Sequence, residues 1–204
     1  KLAPGEVAVV EAADALRERA ATLGVTAVAG AEELAGSARP SLVIFAVKPQ
    51  VILDVVPAYA RFRESATYLS VAAGTPIAAF EAALGDGAAV IRCMPNTPAA
   101  IGKGMMVVVP NRTGGDASRE FVKDLLSASG EVTTIDDEAL MDAVTAVSGS
   151  GPAYVFHFIE CLTAAAEAAG LPAETAKLLA MQTVYGAASL AAESREEPGE
   201  LRRQ

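Results

Sequence analysis

Three short segments of this 204-residue chain combine small, charged and amide side chains in patterns suited to holding a ligand. They are Ala46-Val47-Lys48-Pro49, Ala72-Ala73-Gly74-Thr75 and Cys93-Met94-Pro95-Asn96-Thr97-Pro98. Small side chains let a flat ligand lie against the backbone. Lys48 offers a point charge to a phosphate or ribose, and Asn96 both donates and accepts hydrogen bonds. Each segment also has a plain structural reading, because small residues make turns and Pro95 and Pro98 shape loops. What lifts the three together is position. Each follows an apolar, strand-like run, and open α/β sheets bind ligands beyond the carboxyl ends of their strands.

Glu11 adds a fourth candidate, directly after the run VAVV at 7–10. An acidic residue after the second strand of a dinucleotide fold bonds the adenine ribose and favours NAD, whereas an arginine there favours NADP. It is equally readable as a helix-start glutamate helped by the helix dipole. Glu138 carries the same two readings, a cleft carboxylate or a helix-start residue. Arg17 and Arg19 read as solvated.

Other chemistries find little footing. His157 is the one histidine, and Cys93 and Cys161 are the two cysteines, so neither a histidine-based zinc site nor a disulfide framework is supported. A Ser-His-Asp triad would have to use His157, which lies among Tyr154, Phe158 and Ile159 and reads as a core or interface residue. Glu160 and Glu167 share its segment, and Met105-Met106 reads as core. A net charge of −9 argues against a phosphate-driven nucleic-acid surface. Six Phe, four Tyr and no Trp leave few rings for stacking bases. No apolar stretch reaches membrane-spanning length. With 52% hydrophobic and 20% charged residues, a soluble cytoplasmic protein is expected.

The elements that must position these residues alternate in period. Strands are expected at 7–10, 25–28, 41–47, 67–72, 88–92, 105–109 and 132–135. Helices are expected at 12–23, with Ala12, Leu16, Ala20 and Leu23 on one face, at 31–35, 50–62, from Pro76, and at 116–129. The run SLVIFAV at 41–47 reads as a strand covered on both faces. Strands alternating with helices imply a doubly wound α/β fold with a parallel sheet. Near Asp136 the grammar changes to Ala- and Leu-rich helices at 139–147, 153–169 and 172–193. These are apolar over much of their circumference, which a small helical domain cannot bury alone, so a homodimer is expected. The expected domains are therefore 1–136, for dinucleotide binding, and 137–204, helical.

A dinucleotide fold also needs a Gly-rich turn after its first strand, and no GxGxxG occurs here. If 7–10 is the second strand, the first strand and its glycine loop precede Lys1. The sheet is then expected to part between its two halves.

The segments AVKPQ, SVAAGTPI, IRCMPNTPAAIGKGM and DAVTAVSGSGPAYVFHFIECLTAAAEAAGLP together resemble the pyrroline-5-carboxylate reductase family, in order, from about Val7 to Gln204. The resemblance implies a Rossmann-like domain followed by an all-α dimerisation domain. It also implies NAD(P)H-dependent reduction of 1-pyrroline-5-carboxylate to L-proline by a homodimer or larger homo-oligomer. On that resemblance Ala46, Val47, Lys48 and Pro49 line the cofactor NADP or NAD, and Val71, Ala72 and Ala73 lie beneath its nicotinamide side. Asn96 belongs to the loop near the reacting ring, Glu138 sits close to the substrate, and residues 148–152 shape the entry to the helical domain. The family's substrate-carboxylate loop is expected just after Gln204. The asparagine usual before the short second helix is replaced around Gly30, and no arginine directly follows Glu11, so an NADP preference does not carry over. Two other readings compete: a β-hydroxyacid-type dehydrogenase, for which Lys177 lacks the usual glycine context, and a cofactor-binding regulatory paralogue without turnover.

Overall fold

The apolar runs pair as strands in the order they occur. The computed structural model describes residues 2–203 and divides the chain into two units, Lys1–Thr145 and Ala146–Gln204. In the first unit, β1 (Ala8–Val10) and β2 (Thr26–Val28) form a parallel pair of their own. The strands β3 (Leu42–Phe45), β4 (Thr67–Ser70), β5 (Ala89–Met94), β6 (Gly104–Pro110) and β7 (Gly130–Thr134) form a second sheet in sequence order. The strands thus part into two sheets between β2 and β3, at the expected place.

The expectation of a parallel sheet holds for β3, β4 and β5 but fails at β6, which runs antiparallel to β5. Only residues 95–103 join β5 to β6, and their one regular element is the 3₁₀ turn Thr97–Ile101. A parallel return needs a crossover of about a dozen residues or more, so this link reverses the chain instead. Strand β7 then pairs parallel with β6.

Alternation along the strands sends side chains to two faces. One face buries Phe45, Tyr68 and Val90 with Ile52, Val56, Tyr59, Phe62, Phe80 and Leu84. Its centre is aromatic. The Phe45 ring lies 5.4 Å from Tyr59 edge-on and is stacked at 6.0 Å on Tyr68 and 5.9 Å on Phe80. The Tyr68 hydroxyl donates to the Tyr59 carbonyl at 2.7 Å, which pairs the one polar atom of that ring. The opposite face buries Leu69, Ile91, Cys93, Met106 and Val108 with Val122 of helix α4 (Asp116–Ser127).

Three local expectations need correction. Strand β3 is an edge strand of its sheet, so Ile44 stays 49% exposed rather than covered on both faces. The segment 50–62 is not one helix: it breaks into the turn Pro49–Val51, the short helix α2 (Ile52–Val55) and the 3₁₀ stretch Val56–Phe62. Pro57 lacks the N–H that a continuous α-helix would use there. In α1 (Asp14–Ala21) no residue is buried, and Leu16 is 54% exposed, so the apolar face expected at 12–23 is not covered.

The two units divide nine residues later than the change of pattern near Asp136. After the turn Glu138–Leu140, helix α5 (Met141–Val144) belongs to the first unit because Met141 is fully buried in the aromatic face's core. In the second unit α6 (Gly151–Ala168) and α7 (Ala173–Glu193) form a hairpin, followed by the short α8 (Pro198–Leu201). Among the described residues of this hairpin, Ala176 and Ala180 are the buried ones. Tyr154, Phe156, Phe158, Leu178, Tyr185 and Leu190 are all more than half exposed. Among the described residues no helix is long and apolar enough to cross a membrane.

Candidate functional site

Register brings the three sequence-selected segments to one edge. Phe45 pairs with Ser70 and Ser70 with Arg92, so these residues form one row across β3, β4 and β5. The next residues along the three parallel strands are Ala46, Val71 and Cys93. The selected segments therefore all leave the sheet at its carboxyl edge, where α/β folds take ligands.

On the first segment Ala46, Lys48 and Pro49 are exposed, and Val47 is half-buried against the aromatic core. The Lys48 carbonyl accepts from Val51 N at 3.1 Å, which turns the chain. Its ammonium makes no ion pair among the described residues, so it is free to meet an anion.

On the second segment Val71 is half-buried toward one core and Ala72 buried in the other, so their side chains are committed inward. The Ser70 hydroxyl accepts from Ala72 N at 3.2 Å. Ala73 and Gly74 are left exposed, and Gly74 has φ +75°, a conformation that favours glycine. A strand end of alanines and a glycine gives a flat, wall-less platform. With Lys48 leaving the neighbouring strand at the same edge, the residue types fit the flat ring and phosphate of a nicotinamide dinucleotide.

Asn96 is half-buried, and its Oδ1 accepts from Met105 N at 2.9 Å. The amide thus ties the loop after β5 to the start of β6. Where this loop enters the sheet, the starts of β6 and β7 both require glycine. A Cβ on Gly104 would fall 2.6 Å from the Ala99 Cβ, and one on Gly130, at φ +141°, would fall 2.1 Å from the Gly104 carbonyl oxygen.

Glu138 stands in the first unit facing helix α3 (Ile77–Leu84). Its Oε1 accepts twice, from Ile77 N at 2.9 Å and from Arg92 Nη1 at 2.8 Å. Arg92 is 7% exposed on the same face of β5 as Val90. An open polar cleft of about 340 Å³ lies here, lined by Gly74, Pro76, Arg92, Glu138, Ala139 and Asp142. Glu138 itself opens the turn Glu138–Leu140, and its carboxylate reaches across to the first turn of α3 at the edge of this cleft. Sequence reasoning missed Arg92. Its one signal was a lone arginine inside an apolar strand, a residue type that is rarely buried unless paired.

Glu11 is half-buried at the carboxyl end of β1, with Oε1 accepting from Ala13 N at 2.8 Å. Arg17 is not simply solvated. Its Nη1 donates to the carbonyls of Glu11 at 2.9 Å and Ala12 at 3.2 Å, and its Nη2 pairs with Asp14 at 2.5 Å. Helix periodicity puts residue 17 one turn from 14, but only the folded turn shows that the guanidinium bends back to the strand end.

Two expected bystanders are resolved. Of the two readings of His157, core or interface, the core one fails: its side chain is 74% exposed on α6, with Nδ1 3.2 Å from Glu160 Oε2. Cys93 is buried, and burial pushes its thiol up to about 12, which leaves no thiolate for nucleophilic chemistry near neutrality. A second open cleft, of about 560 Å³, is lined by Arg63, Thr67, Asp86, Gly87 and Ser118 among others. It lies at the amino ends of β4 and β5, the edge that α/β folds do not use for ligands.

Residues 138–204 match the family model for pyrroline-5-carboxylate reductase dimerisation. The chain is 46% identical over 164 residues to the pyrroline-5-carboxylate reductase of Pseudomonas aeruginosa, covering 80% of this chain and 60% of that protein. It is 40% identical over 191 residues to the reductase of Corynebacterium melassecola, covering 92% of this chain and 68% of that one. The chain therefore spans about three fifths to two thirds of the length of these curated relatives. The structure of a pyrroline-5-carboxylate reductase from Coxiella burnetii superposes with a TM-score of 0.89 at 32% identity, over 98% of this chain and 74% of that one. The Plasmodium falciparum pyrroline carboxylate reductase, solved with NADP bound, gives 0.78 at 30% identity, over 88% and 67%.

Proposed function

The chain belongs to the pyrroline-5-carboxylate reductase family, and from that premise we propose that it reduces 1-pyrroline-5-carboxylate to L-proline in the cytoplasm, the last step of proline biosynthesis. Bound NADH or NADPH supplies the hydride, which the ring carbon of the C=N bond accepts. Residues 1–136 form the dinucleotide-binding part, and residues 137–204 the helical part that dimerises.

The observation that carries this reading is the convergence on one sheet edge of a free Lys48, the Ala73-Gly74 platform and Asn96, with Glu138 in a cleft that Gly74 also lines. Lys48 holds a cofactor phosphate or ribose. Ala46, Val47 and Pro49 line the same wall, and the strand-end backbone at Val71, Ala72 and Ala73 lies under the nicotinamide. Glu11 bonds the adenine ribose. Asn96 sits near the reacting ring. Glu138 offers a negative charge to the protonated ring nitrogen of the imine. That nitrogen already carries its proton, so hydride transfer neutralises the iminium charge and leaves a ring amine, with no acid required in the same step. Positioning and charge then carry the chemistry. The exposed apolar faces of α6 and α7 support a homodimer.

The test is oxidation of NADH and NADPH, in parallel, by the purified protein with 1-pyrroline-5-carboxylate. Turnover with either supports the reading, and the ratio assigns the cofactor. Cofactor binding without oxidation overturns it in favour of a regulatory paralogue.

A further inference from the structure

Among the described residues Arg92 is the one buried arginine, and the proposed reductase reaction gives it no task. Its place is unusual. It stands in the last paired row of the parallel strands, in register with Ser70 on the aromatic face, where an apolar side chain would extend the core at lower desolvation cost. Instead a guanidinium crosses to Glu138, 46 residues along the chain. Ile77 N, at the first turn of α3, takes the same carboxylate oxygen. Two donors from two different elements therefore hold Oε1, while Oε2 has no hydrogen-bond partner among the described residues. Both residues line the open cleft.

From this geometry we infer that Arg92 is a positioning residue: together with the α3 amide it clamps Glu138 Oε1, so that Oε2 is presented to a cationic ring nitrogen in the cleft. The inference rests on the reductase reading and deepens it. A carboxylate held by one oxygen keeps one rotamer, so the charge that meets the iminium is in place before the substrate arrives. Without the clamp the side chain loses that orientation, and a cationic ligand must bear the cost of ordering it. Arg92 itself does not touch the substrate. Its positive charge is spent on Oε1, which keeps it from repelling the iminium.

The bond uses a single Nη1–H, a contact that lysine can reproduce. The expected results on the purified enzyme are therefore graded. Arg92→Met raises KM for 1-pyrroline-5-carboxylate about tenfold or more and leaves KM for the reduced cofactor within about twofold. Arg92→Lys recovers most of that loss. The double variant Arg92→Met with Glu138→Gln is no worse than Glu138→Gln alone by more than about twofold, because the arginine acts through the glutamate. Melting curves on each variant separate a folding defect, and if Arg92→Met does not fold, the polar but uncharged Arg92→Gln carries the test with the same expected rise in imine KM. An active wild type whose Arg92→Met keeps its imine KM, or whose two substitutions multiply independently, overturns this inference and leaves the reductase reading standing. A wild type without turnover overturns both.

Discussion

Asn96 Oδ1 accepts the backbone N–H of Met105 at 2.9 Å, so a residue marked for the reacting ring also fastens the start of β6. The tie spans nine residues and closes the loop that carries the MPNTP segment over the carboxyl edge of the sheet. One amide oxygen thus fastens the loop, and the same residue is the one proposed to lie near the reacting ring.

This dual role separates by substitution. Asn96→Ala leaves a half-buried N–H of Met105 without its acceptor and is expected to lower stability by about 1–3 kcal/mol. Asn96→Asp keeps the acceptor and restores most of that stability in denaturant titrations. If the amide's donor side is what faces the substrate, Asn96→Asp still loses kcat. Equal stability of all three proteins would sink the anchoring role.

Glu11 sets up a cofactor prediction. Its carboxylate stands at the end of β1, where it would repel a 2′-phosphate, and Arg17 nearby is occupied by two carbonyls and Asp14. Glu11→Ser is expected to move the ratio of kcat/KM for NADPH over NADH upward about tenfold, equivalent to about 1.4 kcal/mol. An unchanged ratio would show that Glu11 is only the local turn residue its bond to Ala13 N makes it.

The exposed rings of α6 yield a third test. Phe156 is 61% and Phe158 58% exposed on a helix that buries none of its own side chains. Phe156→Glu places a charge on that apolar face and is expected to shift the protein toward monomer in sedimentation. A variant that sediments unchanged argues that this face is not the contact.

Alkaline pH is the fourth lever. Burial raises the Cys93 thiol from 9.0 to about 12 and the Tyr68 hydroxyl from 10.0 to about 12. In the unfolded chain both groups ionise first, so the folded form loses ground as pH climbs. Their contribution is complete below about pH 9 and is lost progressively toward pH 12. The urea midpoint is expected to fall across that window, and Cys93→Ser to flatten the part that begins nearest pH 9. Thiol reagents should reach Cys93 only after denaturation.

Sequence alone determined a good deal. Apolar runs of strand length gave every strand to within a few residues, and the shift to unbroken Ala- and Leu-rich periods near Asp136 marked a helical second part. Both signals are local, because side-chain period follows directly from backbone geometry. The candidate residues at the strand ends were legible for the same reason: a strand's exit is visible wherever its apolar run stops at Lys48-Pro49 or Gly74.

What the tertiary structure decided was whatever depends on partners distant in the chain. The reversal of β6 follows from a link too short to cross the sheet, and the exposure of Ile44 from the edge position of β3. The end of the first unit moved past Asp136 because Met141 finds its core on the strands, not on the helices that follow it. Most of all, Glu138 became more than a helix-start carboxylate only when folding set it against Arg92 and the first turn of α3. Charge pairing across 46 residues leaves no periodic trace, since a buried guanidinium is stabilised by whichever carboxylate the fold delivers to it, and sequence spacing does not record that delivery.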